Sequence, residues 1–147
     1  MKVTVYNSKA CELPKPAEPQ MLPDLLKSDG VVVWVDMAGP TEEHVRVMAD
    51  VFNFHPLAIE DTKNQRQRPK VEEFPDYLFT ILNPVEWRQE EIEFDELDMF
   101  VGRNYVVTVH SELVPCLEEA FQRVENACSF LPMSSGYLLY TLVDTIV

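Results

Sequence analysis

In the first part of the chain, hydrophobic residues recur with two spacings, one typical of β-strands and one typical of α-helices. Residues 2–7 alternate singly, which is typical of a short β-strand with one buried face. The valine-rich run at 31–36 predicts a strand buried on both faces, followed by a turn at Gly39 and Pro40. Behind Thr41, apolar residues recur at helical spacing and predict a helix capped by that threonine; they are Val45, Met48, Ala49 and Phe52.

Prolines occur both before this predicted strand and after the helix that follows it. Residues 13–23 contain four prolines and are expected to form an extended surface connection without a helix. His55 and Pro56 predict a second, short helix, because proline suits the first helical position. The polar and basic residues 62–70 that follow predict a loop.

The next segments are rich in β-branched and aromatic residues and predict an antiparallel part of the sheet. Turn-forming residues at 89–90 and 102–104 separate them into hairpins. Pro84 implies an edge or a bulge within the second strand. The predicted strands are 71–73, 77–87, 92–101 and 105–110.

Two helices are predicted at the C-terminal end. Ser111 is expected to cap the first, and Ser134 to start the second at residues 137–147, which are apolar nearly all round. This last helix has no terminating cap, so we expect it to be the truncated start of a longer helix. Because a strand is followed by a crossover helix, the whole pattern predicts an α/β fold. Its mixed, partly antiparallel sheet would be covered by helices in α/β/α layers.

Composition limits the classes of function. The chain has 147 residues, enough for one domain, and 12 basic against 25 acidic residues give a net charge of −13. This charge disfavours binding to nucleic acid or to anionic membranes. The three cysteines are an odd number and lack a CxxC spacing, so a disulfide framework or a structural zinc site is not expected, and a reducing compartment is indicated. Neither a signal peptide nor a membrane span is predicted.

The motifs of common enzymes are missing from the sequence. There is no HExxH or GxSxG motif, and four glycines are too few for a phosphate-binding loop. An acidic hairpin is compatible with a metal-dependent hydrolase, but its charges equally serve to deter edge-to-edge strand pairing. The carboxylates of this hairpin are Glu86, Glu90, Glu91, Glu93, Asp95, Glu96 and Asp98.

Three other carboxylates are candidates for binding a cation. Glu60 and Asp61 lie late in the short helix, near the negative end of its dipole, where a bound cation or local pairing with Lys63 or Arg66 would stabilise them. Asp144 is the one charged residue in the final apolar helix. It is either a polar side chain on a solvent-facing stripe or a partner of Glu60 or Asp61 around a hydrated Mg²⁺. The basic loop 63–70 is expected to pair with acidic neighbours or with another subunit.

The string His-Pro-Leu-Ala-Ile-Glu-Asp at 55–61 resembles the CorA family of divalent-cation transporters. Further similar strings are Gln-Arg-Pro-Lys-Val-Glu at 67–72, Asp-Tyr-Leu-Phe at 76–79 and Tyr-Leu-Leu-Tyr-Thr-Leu-Val-Asp at 137–144. The resemblance runs from about residue 31 to the end and is to the N-terminal cytoplasmic domain of that family.

This resemblance implies a regulatory domain at the cytoplasmic face of the inner or plasma membrane. Family members are homopentamers, in which Mg²⁺ bound between cytoplasmic domains holds the pore closed. By position, Asp61 matches the principal sensor aspartate, and Glu60 and Asp144 match its supporting carboxylates. The similarity also implies one cytoplasmic domain over 1–147, made of an N-terminal segment (1–30), an α/β core (31–133) and the start of a stalk helix (134–147).

The family's Gly-Met-Asn pore signature, its membrane helices and one stalk aspartate are absent from these residues. We therefore expect a soluble fragment that binds Mg²⁺ weakly and conducts no ions by itself. The resulting hypothesis is a cation-sensing domain, not an enzyme, of a transporter for Mg²⁺, with Co²⁺, Ni²⁺ or Zn²⁺ as alternative ions. The other hypotheses are an acidic protein-interaction module without a metal and a metal-dependent hydrolase.

Overall fold

The computed structural model describes residues 1–111 and 114–147. Nine strands are assigned in this part of the chain: β1 Lys2–Asn7, β2 Lys15–Ala17, β3 Val31–Ala38, β4 Lys70–Glu73, β5 Tyr77–Leu82, β6 Val85–Arg88, β7 Glu91–Phe94, β8 Leu97–Gly102 and β9 Tyr105–His110. The α-helices are α1 Leu22–Leu25, α2 Glu42–Arg46, α3 Pro56–Lys63, α4 Pro115–Ala127 and α5 Ser135–Ile146. A 3₁₀ turn, Pro19–Met21, precedes α1, and α2 continues into a π-helical segment, Val47–Val51.

Seven strands form one mixed sheet in the order β2-β1-β3-β9-β8-β5-β4. The central pair β3 and β9 is parallel, with Val35 opposite Val107, and the other neighbours are antiparallel. A parallel pair needs a long crossover connection, which here contains α2, α3 and the antiparallel strands. The predicted mixed, partly antiparallel sheet is therefore confirmed.

Helices cover both faces of this sheet, because successive residues of its buried strands point to opposite sides. On one face, Trp34 and Met99 pack in a core with Leu117 of α4 and Leu138 of α5. On the other face, a second core joins strand residues to the π-helical segment and α3; it contains Val35, Met48, Ala58, Ile81 and Phe100. The predicted α/β/α layering is confirmed.

Several local predictions are wrong at the level of single elements. The predicted strand 92–101 is interrupted at Asp95 and Glu96, between β7 and β8. The predicted strand 77–87 is broken after Leu82, and β6 and β7 form a separate two-stranded ribbon, since Pro84 cannot donate a ladder hydrogen bond. The segment 13–23 contains β2, the 3₁₀ turn and the start of α1. The cap of α4 is Val114 and not Ser111; Glu112 and Leu113, between them, lie outside the described residues.

Candidate functional site

Helix α3 sets the positions of Glu60 and Asp61. Its first residue is Pro56, and the His55 Nδ1 atom accepts a hydrogen bond from the Leu57 backbone N–H at 3.1 Å, which caps the helix. The inner side of α3 buries Ala58 and Ile59 against the sheet. Glu60 is therefore exposed, and the Asp61 side chain is partly exposed near the C-terminal end of the helix.

Asp61 is paired with a lysine from the adjacent edge strand. The Lys70 Nζ atom donates to Asp61 Oδ2 at 2.6 Å and to Glu72 Oε1 at 2.7 Å. These hydrogen bonds to Asp61 and then Glu72 raise the pKa of Lys70 above its usual value. Asp61 is therefore paired with a nearby basic residue, as predicted, but this residue is Lys70 and not Lys63 or Arg66.

Asp144 lies on the exposed side of α5 and is held by α4. The Arg123 Nη2 atom donates to Asp144 Oδ2 at 2.6 Å, and its Nη1 atom donates to Thr145 Oγ1 at 2.8 Å. Both side chains of the ion pair are well exposed, at 38% for Arg123 and 47% for Asp144. Asp144 is consequently a surface residue with an exchangeable partner, because exposed ion pairs contribute little stability.

One copy of the chain does not bring the three predicted ligands together. α3 packs on one face of the seven-stranded sheet and α5 on the other, so Asp61 and Asp144 belong to opposite layers. Within residues 1–111 and 114–147, no group of three or more His, Cys, Asp or Glu side chains is placed to hold a metal ion.

The carboxylates at the base of the ribbon surround an arginine. Arg88 forms ion pairs with Glu86 at 2.8 Å, Asp95 at 2.9 Å and Glu93 at 3.1 Å. Its hydrogen bond with Glu86 is the main reason that the pKa of Arg88 is raised further. These carboxylates therefore have a cationic partner within the chain, and among the described residues they form no group placed to hold a metal ion.

Two residues grouped with that hairpin in the sequence are buried in the fold. Glu96 Oε2 accepts hydrogen bonds from the backbone N–H groups of Arg66 at 2.6 Å and Gln67 at 2.7 Å. Asp98 is fully buried, and burial raises the pKa of its carboxyl to about 9. The signal that could have separated Asp98 from the solvated carboxylates is its place in an otherwise apolar strand, Leu97–Gly102.

A second buried polar network, which sequence analysis missed, lies on the opposite face of the sheet. Thr108 Oγ1 donates to Asp36 Oδ1 at 2.6 Å and accepts a hydrogen bond from Trp34 Nε1 at 3.0 Å. His110 Nε2 lies 3.0 Å from the same Asp36 oxygen. Because β3 and β9 are parallel and Asp36 lies opposite Thr108, these side chains meet across the strand pair. Their mutual hydrogen bonds explain how polar groups are tolerated in this core.

The family-level comparison covers most of the chain. The family model described as CorA-like Mg²⁺ transporter protein matches residues 29–147. The chain belongs to the CorA-like family. This is a family of transporters rather than of enzymes.

Individual CorA-like proteins match most of the chain. It is 30% identical to the magnesium transporter ALR2 of Saccharomyces cerevisiae over 133 residues, which cover 88% of this chain and 16% of the yeast protein. It is 28% identical to the cobalt/magnesium transport protein CorA of Thermotoga maritima over 118 residues, covering 78% of this chain and 34% of that protein. The chain thus spans about a third or less of the length of these relatives.

A solved CorA structure has the same fold. The complete structure of the CorA magnesium transporter from Methanocaldococcus jannaschii superposes with a TM-score of 0.74 at 14% identity, covering 99% of this chain and 44% of the other. In the described part of this CorA-like chain, no helix has the length and apolarity required to cross a membrane.

Proposed function

We propose that this chain is the cytoplasmic cation-sensing domain of a CorA-type Mg²⁺ transporter, with Co²⁺ or Ni²⁺ as further candidate ions. In this proposal, Mg²⁺ binds between copies of the domain in a homopentamer and holds the pore of the attached membrane domain closed. Support comes from the family membership and from relatives whose names specify magnesium and cobalt/magnesium transport.

The observation that carries the proposal is the cation-binding geometry at Asp61. Oxygen atoms of Asp61 and Glu72 converge on one positive charge, the Lys70 ammonium, at 2.6 and 2.7 Å. Carboxylate oxygens with room for water are the ligands that Mg²⁺ prefers. In this proposal, a hydrated divalent ion takes the place of the Lys70 ammonium, with Asp61 as its main ligand and with Glu60 and Glu72 as supporting carboxylates.

The opposite placement of α3 and α5 supports a site between copies. Asp61 and Asp144 are exposed on different layers of one copy, so an ion that contacts both would have to join two copies. When bound, Mg²⁺ supplies two positive charges that offset repulsion between like-charged surfaces. At a net charge of −13 per chain, this repulsion disfavours close packing of copies.

We expect Mg²⁺ binding to shift the balance between arrangements of the domains by a free energy that is usual for coupling between two sites. Binding that favours one arrangement of domains over another typically contributes about 1–3 kcal/mol. In this proposal, Asp61 and Asp144 exchange their partners Lys70 and Arg123 for the ion as the copies approach. This exchange makes the response weak and reversible, as a sensor of cytoplasmic Mg²⁺ requires.

Sedimentation of the 147-residue chain tests the proposal. Millimolar Mg²⁺ should increase its self-association relative to NaCl of equal ionic strength, and Asp61→Asn should abolish the difference. Asp50→Asn, which removes an exposed carboxylate elsewhere, is the matched control. Identical sedimentation of the unaltered chain with and without Mg²⁺ would contradict metal-bridged association.

The second candidate, a protein-interaction module without a metal, is favoured by a separate observation. Cross-strand pairing places four apolar residues on one face of the β6–β7 ribbon, and all four are strongly exposed: Val85, Trp87, Ile92 and Phe94. Exposed apolar patches of this kind mark interaction sites. If Mg²⁺ alters neither the melting temperature nor the association of the chain while Trp87→Ser lowers association, this candidate is preferred.

A further inference from the structure

Glu96 immediately precedes β8, and Asp98 is the second residue of that strand. In register with Asp98, Ile81 lies on one neighbouring strand and Val109 on the other. These neighbours are apolar and fully buried, and Asp98 itself has no exposed surface, while Glu96 is 7% exposed. The two carboxyl groups are therefore enclosed on the face of the sheet that α3 covers.

One oxygen of Glu96 is fully engaged by the chain segment 64–69, which joins α3 to β4. The backbone N–H groups of Arg66 and Gln67 both donate to Glu96 Oε2, at 2.6 and 2.7 Å. Arg66 has a φ of 101°, in the left-handed region that residues with a side chain rarely adopt. Two short hydrogen bonds to a charged acceptor stabilise this conformation, so Glu96 is the anchor of the segment.

The other carboxyl oxygens have no donor in the chain. Glu96 Oε1 and both Asp98 oxygens are buried and receive no N–H or O–H from the described residues. The polar group that acts most strongly on Asp98 is the Glu96 carboxyl, and a hydrogen bond between the two groups would satisfy both. Since ionised carboxylates only accept, this bond requires a proton on one of them. Two buried negative charges in contact would otherwise repel, as in carboxyl pairs that share a proton.

We propose that Glu96 and Asp98 form a proton-binding site, in which one shared proton fastens the segment 64–69 to the sheet. The proton is carried by Asp98 and donated to Glu96 Oε1, which leaves Glu96 Oε2 to accept from the two backbone N–H groups. Loss of this proton would place two negative charges beneath the segment and weaken its attachment.

The charges around the pair determine when the proton is held. The pKa of Asp98 is raised to about 9, chiefly by burial and then by the negative charge of Glu96; Asp61 of α3 contributes to this rise and Lys70 of β4 opposes it. The proton is therefore bound at neutral pH. Asp61 and Lys70, which form an ion pair, flank the segment on the α3 side and the β4 side. The proton site is tested in the absence of Mg²⁺, so its failure is distinguishable from a failure of the proposed Mg²⁺ site at Asp61.

A pH titration of stability tests the site in the 147-residue chain. The unfolded carboxyl titrates near 3.8 and the folded one near 9, so the folded state holds one extra proton between these values. The contribution of this proton to stability is fully present at acidic pH. As the pH rises between the two pKa values, the folding equilibrium constant falls by about tenfold per pH unit. Asp98→Asn should remove this part of the slope, because its amide donates to Glu96 at every pH.

Asp50→Asn is the control for loss of a carboxylate and should leave the slope unchanged. A slope in Asp98→Asn equal to that of the unaltered chain would overturn the proposal. In case the variant does not fold, the carboxyl carbon of Asp98 is followed by NMR in the unaltered chain. A neutral carboxyl at pH 7 supports the shared proton, and an ionised one refutes it.

Amide hydrogen exchange tests the fastening role separately. The protection factors of the Arg66 and Gln67 amides should fall in the unaltered chain as the pH approaches 9, and should persist in Asp98→Asn. Amides in the centre of β9 provide the reference, because global unfolding would expose them as well. Protection of Arg66 and Gln67 that does not respond to the state of Asp98 would exclude the fastening role.

Discussion

Lys70 lies 2.6 Å from Asp61 and simultaneously 2.7 Å from Glu72, so an ammonium group occupies the position between two carboxylates. This arrangement has two consequences. It prevents the carboxylates from repelling each other in a single copy, and it makes any divalent cation compete with a charge that belongs to the chain. If the proposed cation-sensing role holds, the ion binds only at high concentration and is released readily.

Removing the competing ammonium should strengthen binding of Mg²⁺. Lys70→Met keeps most of the aliphatic stem but leaves Asp61 and Glu72 without their cation, and we expect roughly tenfold tighter Mg²⁺ binding in titration calorimetry. Lys63→Met, a change of the same kind in the same helix-loop region, should have a much smaller effect. Equal affinities of Lys70→Met and the unaltered chain would exclude competition at Asp61.

Asp144 can be altered without unfolding the domain. Its ion pair with Arg123 is exposed, so Asp144→Asn should change the free energy of unfolding by less than about 1 kcal/mol in urea titrations. Arg123→Gln serves for comparison, since it also loses the hydrogen bond to Thr145. A large loss of stability in Asp144→Asn would show that this carboxylate has a structural role and is unsuitable as an exchangeable ligand.

The buried network around Asp36 should be sensitive to the loss of one hydroxyl. Thr108→Val leaves Trp34 Nε1 without its acceptor and removes a donor to Asp36, so we expect a loss of about 1–3 kcal/mol in the free energy of unfolding. Thr4→Val, the same replacement on the partly exposed strand β1, is the control. If both variants are equally stable, the hydrogen bonds of Thr108 do not hold the network.

Two glycines should respond in opposite directions to replacement by alanine. A Cβ atom on Gly102 would overlap the ring of Tyr105, which packs on Phe52 at 4.9 Å, and should destabilise the fold by about 1–3 kcal/mol. At Gly136, near the start of α5, the nearest atom would be 3.9 Å away, and alanine should stabilise the helix by up to about 1 kcal/mol. Chemical denaturation measures both, and a tolerated Gly102→Ala would contradict the described packing of Tyr105.

The two tryptophans should differ in their access to solvent. Trp34 is fully buried and stacks on Phe121 at 3.9 Å, whereas Trp87 is 71% exposed on the ribbon. In the Trp87→Phe variant, the remaining emission should be blue-shifted and protected from acrylamide, while the unaltered chain should have a readily quenched component. Absence of that component would mean that the ribbon is covered in solution.

The candidate site was predictable only in part. The positions of Glu60 and Asp61 late in a short helix follow from Pro56 and the apolar spacing, and both lie where that pattern predicts. Their partner was not predictable, because Lys63 and Arg66 are closer in sequence than Lys70, whereas β4 places Lys70 beside α3. The same limit applies to Glu96 and Asp98, which sequence alone groups with solvated carboxylates only a few residues away.

The sequence by itself determined the strand and helix types, the α/β class and the strong negative charge, because periodicity and composition act locally or as sums over the chain. Tertiary structure alone decided the strand order, the assignment of Asp61 and Asp144 to opposite layers, and the burial of Asp98. These properties depend on which distant segments pack together, and the charge state of a carboxyl depends on the water and donors that this packing removes or supplies.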